Sequence, residues 1–227
     1  MKGQAIKITD GLWLVGDGEL SDSKDACVYL AEGTGGAALI DTGAGDNPGA
    51  ILKNIEASGV KPSNVKWILI THCHIDHVGG INYLRRATGA QVMCHALCAE
   101  PLAIGDNNRT AARWYGTTME PTFVDITFDD TEKVSLGNFE LVFIHTPGHS
   151  PDSSSIYADI GGKRVLFGQD IHGPFSPVLG SDINQWKKSM EKLIALKADI
   201  LCEGHYGVIQ PAKEVERFIR SFLQSHV

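Results

Sequence analysis

No stretch of this chain approaches the roughly 20 consecutive apolar residues that a bilayer-spanning helix needs, so no membrane partner is expected. Positive charge is scarce as well: 20 Lys and Arg stand against 27 Asp and Glu, a formal net charge of −7, with no basic stripe to offset it. Proteins that grip nucleic acid neutralise its phosphates with clustered Lys and Arg, so nucleic acid is not expected either. Linkers, low-complexity stretches and obvious repeats are missing from the 227 residues, which suits one domain over 1–227. There is no cysteine framework. Cys27, Cys73, Cys94, Cys98 and Cys202 are odd in number and irregularly spaced, which fits reduced thiols. The opening Met1-Lys2-Gly3-Gln4-Ala5 lacks the apolar core of a signal peptide, so the expected compartment is the cytoplasm.

What is present is an ordinary globular composition, 43% hydrophobic and 21% charged. Strand-like runs cluster early, at Gly11 to Gly16, Cys27 to Ala31 and Ala37 to Ile40, and strands and helices then alternate, which predicts a mixed α and β fold. Helices are predicted over Pro48 to Ser58, Val78 to Ala87 (stopped by Gly89), Ile183 to Leu196 and Ala212 to Ser225. In the last, Val215, Phe218, Ile219, Phe222 and Leu223 form one stripe suited to covering a sheet.

The densest chemistry lies in Thr71-His72-Cys73-His74-Ile75-Asp76-His77, after the buried strand-like run Val65 to Ile70. His72 and His74, two apart on extended backbone, point to the same side and can share an ion. Asp76 and His77 break the alternation where the chain turns into a helix, which aims them at a second position. Gly79 and Gly80 suit a close backbone approach, here to the metal centre. Cys73 alternates away from the histidines and is expected to pack. Cys94, His95 and Cys98 have no second pair to complete a zinc knot. Further donors stand at other strand ends: His149 after Thr146-Pro147-Gly148, Asp170 after Arg164 to Gln169, and His205 after Asp199 to Gly204.

H-x-H-x-D-H, a histidine after T-P-G, a strand-end Asp and then G-H, in that order, resembles the metallo-β-lactamase superfamily, over nearly the whole chain. The resemblance implies a four-layer αββα sandwich, of class α+β, with the metal centre at one edge. It implies that His72, His74 and His149 hold one ion, that Asp76, His77 and His205 hold another, and that Asp170 bridges both. Two Zn2+ per chain are expected, with Fe or Mn as alternatives. One departure is local: family members commonly carry Gly before the bridging Asp, where this chain has Gln169.

Asp41-Thr42-Gly43 also matches the aspartic-protease signature, but that chemistry needs two carboxylates sharing a proton and the chain has a single D-T-G. The resemblance suggests instead that Asp41 orients a ligand histidine through its other ring nitrogen; a carboxylate capping its own turn is the alternative. Asp76 and Asp170 count as candidate catalytic residues as well as ligands. His172, two past Asp170, and Tyr206, beside His205, are candidates for proton donation and for polarising a substrate oxygen. The irregular 95–123 stretch is a candidate lid. There Arg109 and Arg113, four apart on a short helix, with Trp114 and Tyr115 beside them, could grip a substrate; a surface helix anchored by Trp114 is the alternative.

Two metal ions sharing a hydroxide cleave electrophilic carbonyl or phosphoryl groups, since coordination brings the pKa of water from about 15.7 to about 7. The expected activity resembles that of the glyoxalase II, lactonase and small esterase branches: hydrolysis of a thioester, lactone or other ester of a small molecule by a metal-bridging hydroxide. The alternative is a mononuclear iron persulfide dioxygenase using His72, His149 and Asp170 alone. A β-lactamase is disfavoured by the bridging Asp170, and a phosphoesterase of the nuclease branch by the charge. A homodimer is the default assembly.

Overall fold

In the computed structural model, which describes residues 4–226, the strands fall into two sheets. The first runs in chain order: β1 (Ile6–Thr9), β2 (Leu12–Gly16), β3 (Val28–Gly33), β4 (Gly36–Ile40), β5 (Val65–Leu69), β6 (Gln91–His95) and β7 (Ile126–Phe128). It starts antiparallel and becomes parallel from β4 onward. The second comprises β8 (Thr131–Ser135), β9 (Glu140–His145), β10 (Ser154–Ile160), β11 (Lys163–Gln169), β12 (Ile200–Glu203) and β13 (Gly207–Ile209), again ordered as in the chain, with only β11 and β12 parallel. The helices are α1 (Pro48–Ala57), α2 (Ile75–Val78), α3 (Ile81–Thr88), α4 (Ala96–Ile104), α5 (Ile183–Ala195) and α6 (Ala212–Ser225).

Strands that are apolar at every position bury both faces. In β3, Val28 and Leu30 face α1 and α3, in a core with Ile51, Ile55, Ile81 and Leu84, while Tyr29 and Ala31 face the second sheet, in a core with Phe143, Ile156 and Phe167. A third core lies beyond the second sheet, where Leu166 and Leu201 meet Trp186, Met190, Leu193, Val215 and Ile219 of α5 and α6. Three apolar layers between four structural ones make the expected α+β sandwich, helix on sheet on sheet on helix. The α6 stripe supplies Val215 and Ile219 in full, and Phe218, Phe222 and Leu223 in part. Asp182 caps α5, accepting from Asn184 N at 2.8 Å and Gln185 N at 3.1 Å. No helix among the described residues is long and apolar enough to cross a membrane. Met1–Gly3, part of the opening stretch read for a leader, lie outside the described residues.

Three expectations are corrected. The helix predicted over Val78 to Ala87 starts later, as α3 at Ile81, with Val78 ending the separate short α2, and Gly79 and Gly80 approach the Thr42–Ala44 backbone instead of the metal centre: a Cβ at Gly79 would lie 2.0 Å from Ala44 O, and one at Gly80 2.2 Å from Thr42 O. The 95–123 stretch is not irregular throughout, because α4 forms at its start despite Pro101. Arg109 and Arg113 share no helical face: Ala111 adopts a left-handed conformation (φ 56°) and ends the turn before a 3-10 turn over Ala112–Tyr115.

Gly79 and Gly89 separate two reasons for a glycine. Gly79 is helical (φ −60°) but jammed against backbone, whereas Gly89 is left-handed (φ +75°) with nothing within 4 Å of a built Cβ. Gly79→Ala is expected to cost about 3 kcal/mol or more by overpacking, and Gly89→Ala about 1 kcal/mol by backbone strain. Urea unfolding of both variants checks this; equal costs would mean that the Ala44 contact yields freely.

Candidate metal centre

The run after β5 stays extended through His74 (φ −66°, ψ 143°), the residue before α2. Ile70 and Cys73 lie in the core beneath α1 and α3, with Cys94 and Cys98, while His72 and His74, on either side of Cys73, converge with His149 and Asp170. All five cysteines are buried and unpaired. The second sheet brings His149 from the β9–β10 loop, Asp170 from the end of β11 and His205 from the β12–β13 turn.

These seven side chains form two groups, His72, His74, His149 and Asp170, and Asp76, His77, Asp170 and His205, with the ligand atoms of each lying within 4.8 Å of one another. In the first, His74 Nδ1 lies 3.0 Å from His72 Nε2 and 2.9 Å from His149 Nε2, and Asp170 Oδ2 lies 3.5 Å from His149 Nε2 and 4.0 Å from His72 Nε2. In the second, His77 Nε2 is 3.1 Å from Asp170 Oδ1 and 3.8 Å from Asp76 Oδ2, and His205 Nε2 is 3.2 Å from Asp170 Oδ2 and 3.3 Å from Asp76 Oδ2. Donors around a tetrahedral ion with bonds near 2.05 Å stand about 3.3 Å apart, so both groups have the dimensions of an ion's coordination shell. Among the described residues, the buried side-chain polar atoms without a hydrogen-bond partner are His74 Nε2, His77 Nε2 and Asp170 Oδ1. The last two are converging donors of the second group, and an ion there would satisfy both. The residues fit a pair of divalent metal ions.

Contacts behind the ligands fix which ring nitrogen faces the centre. Asp41 Oδ2 lies 2.8 Å from His77 Nδ1 and accepts from Thr71 Oγ1 at 2.8 Å, while Oδ1 accepts from Thr71 N at 2.9 Å. Thr71 Oγ1 is in turn 3.2 Å from His72 Nδ1, and His149 Nδ1 donates to Pro174 O at 2.9 Å. With Nδ1 occupied, these rings present Nε2. Gln169, where the resemblance leads one to expect Gly, takes the left-handed conformation itself (φ 51°), and its Oε1 accepts from Asp170 N at 2.7 Å. Gly204 permits the close approach from the other side, since a Cβ there would lie 2.2 Å from Asp170 Oδ1.

The two groups differ in charge. Burial holds His72 well below the usual imidazole range, lowers His74, and brings His149 down to about 4, against the pull of Asp170. Burial opposes charge on His77 and His205 too, but the surrounding carboxylates outweigh it: Asp170, Asp76 and Asp41 hold His77 well above its ordinary value, and Asp170 and Asp76 push His205 up to about 10. Asp170 is held well below the carboxylate range by His77 and His205 despite its burial. The second group therefore draws positive charge, as protons or as a metal ion.

A cavity of about 200 Å³ opens over the centre, lined by His74, Asp76, His149, Asp170 and His205 and by Ala111, Trp114, Tyr115, His172, Pro174 and Leu179. Of the candidate substrate contacts, Trp114 and Tyr115 line it and Arg109 and Arg113 do not. Arg109 is drawn aside by Glu100 Oε2 at 2.7 Å and Leu97 O at 3.2 Å, beside a neighbouring hollow, and Arg113 is exposed on the far side of the left-handed Ala111. Of the candidate catalytic residues outside the ligand set, His172 lines the cavity. Tyr206 does not; the turn after Glu203 carries it to a separate hollow with Asp17, Glu19 and Asp25. The phenol facing the centre is that of Tyr115, which burial, Asp76 and Asp170 push far above the usual range, leaving it protonated as a donor. Glu203 was missed in the sequence, although a carboxylate ending the buried run Ile200–Glu203 was a signal; it holds His172 Nδ1 at 2.7 Å.

The sequence profile of the metallo-beta-lactamase superfamily matches residues 26–205. A hydroxyacylglutathione hydrolase of Anaeromyxobacter dehalogenans is 38% identical over 130 residues, covering 57% of this chain and 41% of that protein, so the chain corresponds to less than half of that relative. An acyl-coenzyme A thioesterase of Homo sapiens is 25% identical over 187 residues, covering 71% of this chain and 63% of that one. Among solved structures, a HARLDQ-motif mutant of a metallo-beta-lactamase from Cronobacter sakazakii superposes with a TM-score of 0.82 at 24% identity, over 98% of this chain and 95% of that one, a likeness of fold.

Metal binding should report the charge difference. Burial keeps His72, His74 and His149 neutral, so a divalent ion there would displace no imidazole proton, whereas His77 and His205 are held protonated by the surrounding carboxylates and would have to release theirs. The second group's affinity for a divalent ion is accordingly expected to rise with pH, as the protons on His77 and His205 cease to compete. Calorimetric titration of metal-free protein in buffers of different ionisation heat reads both events; proton release confined to the first group would contradict the assignment.

Proposed function

The chain belongs to the metallo-beta-lactamase superfamily, and on that premise we propose that it is a metal-dependent hydrolase which carries two zinc ions and cleaves a thioester of a small molecule. Lactones and other esters form the wider class. The observation that carries this reading is the sharing of Asp170 between two complete groups of ligand atoms. The two named relatives, a hydroxyacylglutathione hydrolase and an acyl-coenzyme A thioesterase, favour a thioester.

His72, His74 and His149 would hold one ion, Asp76, His77 and His205 the other, with Asp170 common to both. Ions so placed supply Lewis acidity and make a water nucleophile available at neutral pH. The remaining work falls to the chain's own side chains. Trp114, Pro174 and Leu179 give the cavity apolar walls against which an acyl chain can lie. Tyr115 offers its hydroxyl as a hydrogen-bond donor to oxygen in the cavity, and the negative charge that develops on a carbonyl oxygen during attack strengthens that bond. Asp41 and Pro174 O keep His77 and His149 in the required tautomer. A persulfide dioxygenase with one iron would need only His72, His149 and Asp170, and would leave Asp76, His77 and His205 gathered without a task.

Purified protein is expected to hold about two zinc equivalents and to hydrolyse acyl thioesters of glutathione, coenzyme A or N-acetylcysteamine. One tightly held iron per chain, with oxygen uptake on glutathione persulfide, would replace this reading with the dioxygenase. Asp170→Ala should lower turnover by about a thousandfold or more and release both ions, whereas Cys73→Ser leaves metal content unchanged; equal loss from the two variants contradicts the ligand assignment. Tyr115→Phe should lower kcat by about tenfold at constant metal content, the scale of one charge-assisted hydrogen bond, and an unchanged kcat removes Tyr115 from the mechanism.

A further inference from the structure

Between the end of β5 at Leu69 and the start of α2 at Ile75, the run that carries the first ligands belongs to no sheet. Its residues are buried, so its N–H groups must find acceptors one at a time. Every second one finds its acceptor outside the run: Thr71 N donates to Asp41 Oδ1 at 2.9 Å, Cys73 N to Asp152 Oδ2 at 2.7 Å and Ile75 N to Thr110 O at 2.7 Å. The residues that alternate with these, His72, His74 and Asp76, are the ones whose side chains converge on the centre. Holding the backbone at one set of positions aims the side chains at the other.

Asp152 differs from the other two acceptors in its origin. It is 3% exposed and stands three residues after His149, in the loop before β10 of the second sheet. Its bond to Cys73 N therefore joins the segment carrying His72 and His74 to the loop carrying His149, and Ser154 N, donating to Thr71 O at 2.9 Å, repeats the crossing. The loop is itself closed by Ser150 N donating to Ser153 Oγ at 3.1 Å and by the two serine hydroxyls, 2.8 Å apart. Asp41 also holds this run, at Thr71, but its other oxygen lies against His77 of the second group. We propose that Asp152 is a positioning residue for the first ion alone. By gripping the amide between His72 and His74 it sets their donor atoms, 3.0 Å apart, against each other and against His149. This role rests on the metal-dependent reading above, whichever bond the centre cleaves.

Zinc titration in solution, with anomalous diffraction from zinc-loaded crystals to read each position separately, tests this without any substrate. Asp152→Ala and Asp152→Leu both delete the acceptor, the first leaving a void and the second filling it, and each should weaken the first ion by about 10- to 100-fold, the scale of losing a contact behind a ligand, with the second ion unchanged. Asp152→Asn, which still offers an oxygen to Cys73 N, should restore the first ion. A residue that merely held the fold together would lower both ions alike. If neither Asp152→Ala nor Asp152→Leu folds, amide hydrogen exchange in the metal-free wild type decides: Cys73 N–H is expected to exchange slowly, and exchange at the rate of open chain overturns the clamp. With two zinc ions in the wild type, full occupancy of both positions in the folded Ala or Leu variant, equal loss at both, or no recovery in Asp152→Asn overturns this proposal and leaves the metal-dependent reading standing. A wild type that takes up no zinc at the first group overturns both.

Discussion

A single carboxylate ties the molecule's chemistry together. Asp170 is 3% exposed, and its oxygens face different neighbours: Oδ1 lies 3.1 Å from His77 Nε2, and Oδ2 lies 3.2 Å from His205 Nε2 and 3.5 Å from His149 Nε2. Burying one charge this deeply costs several kcal/mol unless positive charge opposes it. Asp76 and Asp41 are buried as well, so the site gathers three carboxylates, whose charge is offset by protons on His77 and His205 or would be by divalent ions. Gln169 accepts a left-handed backbone, worth about 1–2 kcal/mol of strain, where it aims Asp170 into the centre, and Gly204 leaves room for the oxygen.

Neither ligand group belongs to one half of the sandwich. The first sheet delivers His72, His74, Asp76 and His77 from the end of β5; the second delivers His149, Asp170 and His205 from the ends of β9, β11 and β12. Each candidate ion would draw donors from both sheets, so the centre exists only when the core between them has closed over Tyr29, Ile40, Leu69, Phe143 and Phe167. Coupling also runs the other way, because an ion bound only by the closed arrangement stabilises it. Asp41 sits at this junction: it follows β4, takes both donors of Thr71 after β5 and reaches His77 at the end of that same segment.

Much of this was legible in the chain. Histidine and aspartate at strand ends stand out against apolar runs, and because both faces of the central strands are buried those runs are unbroken, as in Val28–Ala31 and Ile68–Ile70. What escaped depends on contacts remote in sequence. β10 begins with Ser154 and Ser155, polar residues that give no strand signal in the sequence and are fully buried in the fold. Gly79 and Gly80 signalled a close approach, but the partner is the Thr42–Ala44 backbone and not the metal centre. Tyr206 adjoins a ligand and Tyr115 lies 55 positions from Asp170, yet a turn carries the first away and the left-handed Ala111 folds the second in. Arg109 and Arg113 have helical spacing, which one positive φ cancels.

The central claim is that two ions share Asp170, and electron paramagnetic resonance of manganese-loaded protein tests it without reference to any substrate. Ions bridged by one carboxylate stand about 3.5–4 Å apart and couple magnetically. At two equivalents per chain the wild type is predicted to give the spectrum of an exchange-coupled pair. Saturation at one equivalent, or two equivalents with the spectrum of isolated ions, would contradict it.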